Sequence, residues 1–423
     1  MRAWANLYPW DVNGDPAAAD RIAGLGLTGV TLAAAYHSVR AVTPFHPRHR
    51  IVTRDAAVYY RADPANWRST GLRPARLRPA VTRPAGSFER ASAALRSRGL
   101  QVTAWAVITH NDRLGAVVPS AAVRNAFGDG YPWALCLASP AVREYATTLA
   151  AEIAALPEAG AIELEACGWY GVEHLSAHDK TAGAATGPAQ WLLSVCFCPA
   201  CRGEYAAAGA DPAWLAACVR AAVDARPPVA APSEALVPGA TLTRAAPPGA
   251  VPPGAALTEG APLGAALTEG AALPEEAARI LLAVRAALAS RFQREVIAAA
   301  RDAAPGKPVY LHVHPDPRET GANPGYEPAA LAGATGIVLS CWPSGLAQTA
   351  PALVSQAVAT APPGTAIAAS LLAVAGLGGD HATLPAQAAA VRAAGATELR
   401  LYHAGLAAAP DLAAIGYLCS TSA

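Results

Sequence analysis

Ala3-Trp4-Ala5-Asn6-Leu7-Tyr8-Pro9-Trp10-Asp11 opens the chain as an apolar, aromatic-rich run that breaks at a proline, and it reads as a strand. A doubly wound nucleotide-binding sheet would carry a glycine-rich phosphate loop directly after its first strand. Tyr8-Pro9-Trp10-Asp11 stands there instead, which counts against that fold. Outward from this point the same kind of run recurs at 29–37, 101–110, 160–167, 308–315, 335–342, 365–373 and 396–403. Ala-rich helical stretches lie between the runs, at 16–24, 87–98, 140–155, 276–303, 349–360 and 384–394. Strands alternating with helices in this number predict a closed parallel (β/α)8 TIM barrel.

The 423 residues suffice for one large barrel or two ordinary domains. A formal net charge of +1 offers no footprint for nucleic acid or an anionic membrane. Lys is nearly absent and Arg frequent, which fits a GC-rich genome better than a basic function. No apolar run is long enough to span a bilayer, and the start of the chain lacks a signal-peptide pattern, so a cytoplasmic location is expected.

Residues 226–275 are rich in Pro, Gly and Ala, hold no aromatic residue, and nearly repeat themselves at 254–260 and 264–270. Such a composition cannot bury enough apolar surface to offset its ordering entropy, so a disordered insertion is expected. The strand–helix alternation continues on both sides. Residues 1–225 and 276–423 are therefore expected to form two parts of one barrel rather than two linked domains.

Active-site groups of such barrels gather at the C-terminal ends of the strands. Polar and aromatic residues sit there: Tyr8, Trp10 and Asp11; Tyr36 and His37; His110, Asn111 and Asp112; Glu163 and Glu165; Tyr310, His312, His314 and Asp316; Trp342; Tyr402 and His403. In the fourth strand, period-two alternation turns Ile162, Leu164 and Ala166 to the helices and Glu163 and Glu165 to the lumen. Two carboxylates in a confined lumen repel, so one should hold its proton near neutral pH, as a general acid must. Glu165, nearer the top, is the candidate. Glu163 is a substrate-site candidate whose alternative is an ion pair with Arg400. Trp10, Trp169, Trp342 and Tyr402, with Trp105, could stack on sugar faces. His37, Asn111, His174, His178, His312 and His314 complete the polar cleft.

Cys196-Phe197-Cys198-Pro199-Ala200-Cys201 packs three thiols into one short segment, which suits a closed structural zinc site better than disulfides. Cys136 is the best candidate for a fourth ligand, with Cys167, His174 and His178 as the other options.

Residues 134–145, a fourth-strand glutamate, and then Cys196–Arg202 resemble the zinc-bearing microbial β-galactosidases of glycoside hydrolase clan A. That resemblance implies zinc ligation by Cys136, Cys196, Cys198 and Cys201, and an acid/base role for Glu165. More broadly, residues 35–47, 58–60 and 163–178 resemble uncharacterised, alanine-rich actinobacterial barrels of glycoside-hydrolase type. Clan A enzymes carry their nucleophile glutamate at the end of the seventh strand. Here that strand reads Ala366-Ile367-Ala368-Ala369-Ser370-Leu371-Leu372-Ala373. Either the second carboxylate comes from another strand, such as Asp112 or Asp316, or the enzyme inverts, or the hydrolase activity is lost.

The leading expectation is therefore a glycoside hydrolase acting on a carbohydrate or other small molecule, with neither nucleic acid nor membrane as partner. The rivals are a metal-dependent hydrolase using His174, His178, His312 and His314, and a non-catalytic carbohydrate-binding barrel.

Overall fold

The protein is described by a computed structural model covering residues 1–67, 71–74, 86–172, 188–225, 273–342 and 349–421. Its barrel strands are β1 (Arg2–Leu7), β2 (Gly29–Tyr36), β3 (Gln101–Val107), β4 (Ala161–Glu165), β5 (Val309–His312), β6 (Gly336–Ser340), β7 (Ala366–Leu372) and β8 (Glu398–Tyr402). Each pairs in parallel with its sequence neighbour, and β1 pairs with both β2 and β8, which closes the barrel. All eight expected runs are strands. Nearly every strand residue is buried, as expected for a sheet covered on both faces.

The outer layer consists of α1 (Ala18–Ala23), α2 (Ser87–Arg96), α3 (Pro140–Ala154), α4 (Glu275–Ala303), α5 (Ala350–Thr360), α6 (Leu384–Ala393) and α7 (Ala409–Thr421). α3 shows how the sequence writes such an element. Ser139 precedes it, Pro140 occupies its first turn, and Val142, Tyr145, Ala146, Leu149 and Ile153 form its buried stripe. No α-helix separates β5 from β6. Pro315, Pro317, Pro324 and Pro328 break that segment, and only the 3-10 turn Pro328–Leu331 forms. Among the described residues, no helix is long and apolar enough to cross a membrane.

Three elaborations rise from the C-terminal ends of neighbouring strands. The antiparallel hairpin Val39–Val42/Ile51–Arg54 follows β2, and a second, Ala122–Arg124/Gly130–Leu135, follows β3. A lobe of three helices, Pro188–Leu193, Pro199–Ala207 and Pro212–Asp224, follows β4. Residues 226–272 of the expected insertion lie outside the described residues. Leu273 is already buried, and α4 begins at Glu275.

The lumen is filled by a polar column. Arg2 pairs with Glu398, Glu398 with Arg400 at 3.1 Å, and Arg400 with Glu163 at 2.5 Å. Trp4 and Tyr310 pack against the Arg400 guanidinium. A cavity opens beneath this column at the N-terminal end of the barrel, away from the strand ends that carry the candidate site.

Candidate active site and cysteine cluster

Glu165 is the last residue of β4 and only 9% exposed. Its neighbour Ala166 takes a left-handed backbone, φ 58°, which costs an alanine on the order of 1 kcal/mol. Hydrogen bonds hold that turn in place. The Ala166 N–H donates to the Ala322 carbonyl at 3.0 Å, and its carbonyl accepts from Thr109 Oγ1 at 2.6 Å.

Trp105 on β3 donates from Nε1 to Glu165 Oε2 at 2.6 Å. His312, ending β5, stands between two carboxylates: its Nε2 is 3.2 Å from Glu163 Oε2 and its Nδ1 is 3.9 Å from Glu165 Oε2. Burial raises the Glu165 carboxyl above the ordinary range, with Glu163 adding to the rise. The His312 charge and the Trp105 bond reverse only part of it. Glu163 goes the other way. Burial alone would raise it, but Arg400 and His312 outweigh burial and hold it at about 2. The two carboxyls, two residues apart on one strand, are thus driven apart in acidity, the pattern that separates acid from base in an active site.

Tyrosine hydroxyls crowd above. Tyr8, Tyr36 and Tyr402 hydrogen-bond one another, and Tyr36 and Tyr402 feel the Glu165 charge; burial first, then that charge, pushes Tyr402 up to about 12. Tyr8 stacks on Trp10 at 4.5 Å and on His403 at 4.4 Å. A ladder of rings, Tyr36–His37–His110–Tyr170, runs along the other side with centroid spacings of 4.2, 4.2 and 4.7 Å. Trp342 packs on Tyr402 at 4.7 Å and donates to Ser370 on β7. Trp105, Tyr36, Tyr170 and Tyr402 act directly on Glu165, and of these only Tyr170 was not singled out above.

Other candidates sit differently. Glu163 is wholly buried and engaged by Arg400, His312 and Thr31, so it supports the site from below and does not line a cleft. Asn111 is the cap of the helix Asp112–Val117: Oδ1 accepts from Leu114 N–H and Nδ2 donates to Tyr145, so its amide is spent on local structure. Trp169 donates to the Arg285 carbonyl, with the Arg285 guanidinium 4.6 Å over its ring, and braces the lobe. Asp112 accepts from Ser38 Oγ at 2.8 and 2.9 Å. Asp316 is clamped by Arg318 at 2.6 and 2.8 Å; burial would raise it, but those bonds keep it low. His314 Nδ1 accepts the Asp316 N–H, and burial lowers this imidazole. His174 and His178 lie outside the described residues.

Cys136 directly follows the hairpin after β3, and Cys196, Cys198 and Cys201 belong to the lobe after β4. Cys201 lies within the helix Pro199–Ala207. All four are buried, and their sulfurs lie within 4.8 Å of one another. Cys136 Sγ is 3.5 Å from Cys198, 3.4 Å from Cys201 and 3.7 Å from Cys196. A tetrahedral metal with bonds of about 2.3 Å sets sulfurs about 3.8 Å apart, so the four fit one ion. The Arg124 and Cys198 N–H groups point at Cys196 Sγ. Cys167, the other cysteine considered as a ligand, is not in the group. Among the described residues, no other group of three His, Cys, Asp or Glu side chains is close enough to hold an ion. The cluster ties the β3 loop to the β4 loop, the two loops that flank Glu165.

No family model matches the chain, and no curated protein does. Solved structures share its fold. The glycoside hydrolase domain of PgaB (BpsB) from Bordetella bronchiseptica matches with a TM-score of 0.57 at 15% identity over 99% of each chain. The catalytic domain of β-amylase from Paenibacillus polymyxa matches at 0.54 and 12%, over 100% of this chain and 98% of that one. α-L-Fucosidase isoenzyme 2 from Paenibacillus thiaminolyticus matches at 0.56 and 13%; this chain spans 49% of its length. The barrel is thus one that glycoside hydrolases use. At these identities the likeness is one of fold.

Proposed function

We propose that the protein is a glycoside hydrolase in which Glu165 is the general acid/base. The observation that carries this reading is the Glu165 carboxyl itself: buried at the top of β4, raised by burial, oriented by Trp105 and walled by aromatic rings. A carboxyl raised above its ordinary range keeps its proton to higher pH and can protonate a departing glycosidic oxygen. Asp112 and Asp316 are the proposed sources of the second carboxylate, each fixed by a neighbour, Ser38 or Arg318. Trp10, Trp342, Tyr402, His37 and His314 would hold the sugar from the rim.

The cysteine cluster is read as a structural zinc site. Four thiolates and no open ligand position favour a closed tetrahedral ion that braces the rim loops. Residues 226–275 are read as an insertion into one barrel, and the location as cytoplasmic. The substrate is a carbohydrate.

β7 offers Ser370 and no carboxylate at its upper end, which leaves a binding barrel without turnover as the second reading. A panel of aryl glycosides, assayed with wild type and Glu165→Gln, separates the two. Turnover that Glu165→Gln abolishes supports hydrolysis. Carbohydrate binding that Glu165→Gln leaves intact, with no turnover by either protein, supports the binding barrel.

A further inference from the structure

The hairpin after β2 takes no part in the chemistry above. It carries Arg40, Arg48, Arg50 and Arg54 and no carboxylate between residues 39 and 54, in a chain whose formal net charge is +1. Elsewhere arginines face carboxylates, as in Arg21–Asp15, Arg143–Glu295, Arg291–Glu204 and Arg318–Asp316. The tip of the hairpin is a fixed turn. His46 is buried beneath it; its Nδ1 accepts the N–H groups of Arg48 at 3.1 Å and His49 at 3.0 Å. Thr43 Oγ1 donates to the His49 carbonyl at 2.7 Å, and the Arg50 guanidinium donates to the His46 carbonyl. Arg48 and Arg50 are exposed on this frame, the Arg50 guanidinium held against the His46 and His49 carbonyls and the Arg48 guanidinium beside Gly14.

The hairpin also reaches the candidate site. Arg54 lies 5.8 Å over the Trp10 ring, and Trp10 stacks on Tyr8, one of the tyrosines gathered above Glu165. Phe45 and Ile51 are exposed on the same element, giving an apolar surface among the guanidiniums. Planar guanidinium forks match carboxylates bidentately, and rings and aliphatic groups accept the C–H face of a pyranose.

We infer that the carbohydrate of this site is acidic: a uronate-bearing oligosaccharide whose carboxylates are read by Arg48, Arg50 and Arg54 while a sugar unit enters beside Trp10. The inference rests on the carbohydrate reading of the Glu165 site.

The test uses the full chain carrying Glu165→Gln, so that bound oligosaccharide survives. Calorimetric titration with hexagalacturonate, a hyaluronan hexasaccharide, a neutral galactan hexamer and a short single-stranded DNA forms one arm. The same titrations on protein that also carries Arg48→Gln and Arg50→Gln form the other, with thermal melts confirming that both proteins are folded. The expected result is that at least one acidic hexamer binds and the neutral one does not. Added salt should weaken that binding, and the double substitution should weaken it by roughly tenfold or more. Binding of the neutral hexamer as tight as the acidic ones overturns the inference. So do DNA binding of equal strength, acidic binding indifferent to the arginines, and no binding of any hexamer. The glycoside reading is judged separately, by turnover of the aryl glycoside panel. Hydrolysis of neutral substrates alone would keep that reading and discard this one.

Discussion

Trp105 Nε1 donates a 2.6 Å hydrogen bond to Oε2 of Glu165, joining β3 to the end of its neighbour β4. This bond favours the carboxylate form and so opposes the rise that burial imposes. Trp105→Phe keeps an aromatic ring and removes the donor. The Glu165 carboxyl should then hold its proton to higher pH, and the alkaline limb of the kcat/KM profile should move up by about one pH unit. An unmoved limb would mean that Glu165 is not the group that titrates.

Glu165 also predicts a pH-dependent stability. Its folded-state acidity constant lies above the unfolded value, so its contribution is fully present below the unfolded pKa and is lost as pH rises through the folded one. Glu165→Gln is neutral throughout and still offers Trp105 an acceptor. The variant should melt above wild type at pH above the folded-state value, and the gap should close as pH falls from there to the unfolded value of about 4.3. A gap that stays constant across that range would contradict the assignment.

Glu163 should behave oppositely. Arg400 and His312 hold it at about 2, so its contribution is present above the unfolded value and is lost only as pH falls through the folded one. Glu163→Gln leaves the buried Arg400 with Glu398 as its remaining carboxylate partner and should cost about 3 kcal/mol in a denaturant titration near neutral pH. A loss below about 1 kcal/mol would show that the column is not sustained by this pair.

Much of this arrangement was legible in the residues. Strand runs and Ala-rich helices repeat along the chain because a parallel barrel buries both faces of every strand, which leaves near-continuous apolar segments. Period two on Ala161–Glu165 sent both glutamates to the lumen, and the ion pair of Glu163 with Arg400 was already visible as its alternative. Cys136 was singled out beside the three clustered cysteines, and the structure brings it to them. Which side chains meet between different strands could not be read. Nothing local marks Trp105 Nε1 as the donor to Glu165, or joins Tyr8, Tyr36 and Tyr402 from three strands. Asn111 looked like a cleft residue because it ends a strand, yet the helix that follows claims its side chain as a cap.

The cysteine cluster makes a prediction independent of catalysis. Purified protein should hold one zinc per chain, bound by four sulfurs in X-ray absorption. Cys198→Ser or prolonged chelation should lower stability by on the order of 3 kcal/mol, because ligation at a closed site is folding free energy. Protein that contains no metal and melts identically with and without chelator would remove the zinc reading.

The central claim is that Glu165 delivers a proton to a leaving oxygen, and leaving-group dependence tests it most directly. Single-turnover rates are measured for wild type and Glu165→Gln on two glycosides of the same sugar, one with a dinitrophenyl leaving group and one with a simple alcohol. The first leaves without acid assistance and the second does not. Glu165→Gln should slow the alkyl glycoside by on the order of a thousandfold and the dinitrophenyl glycoside far less. Equal losses on both substrates, or no loss on either, would contradict Glu165 as the general acid.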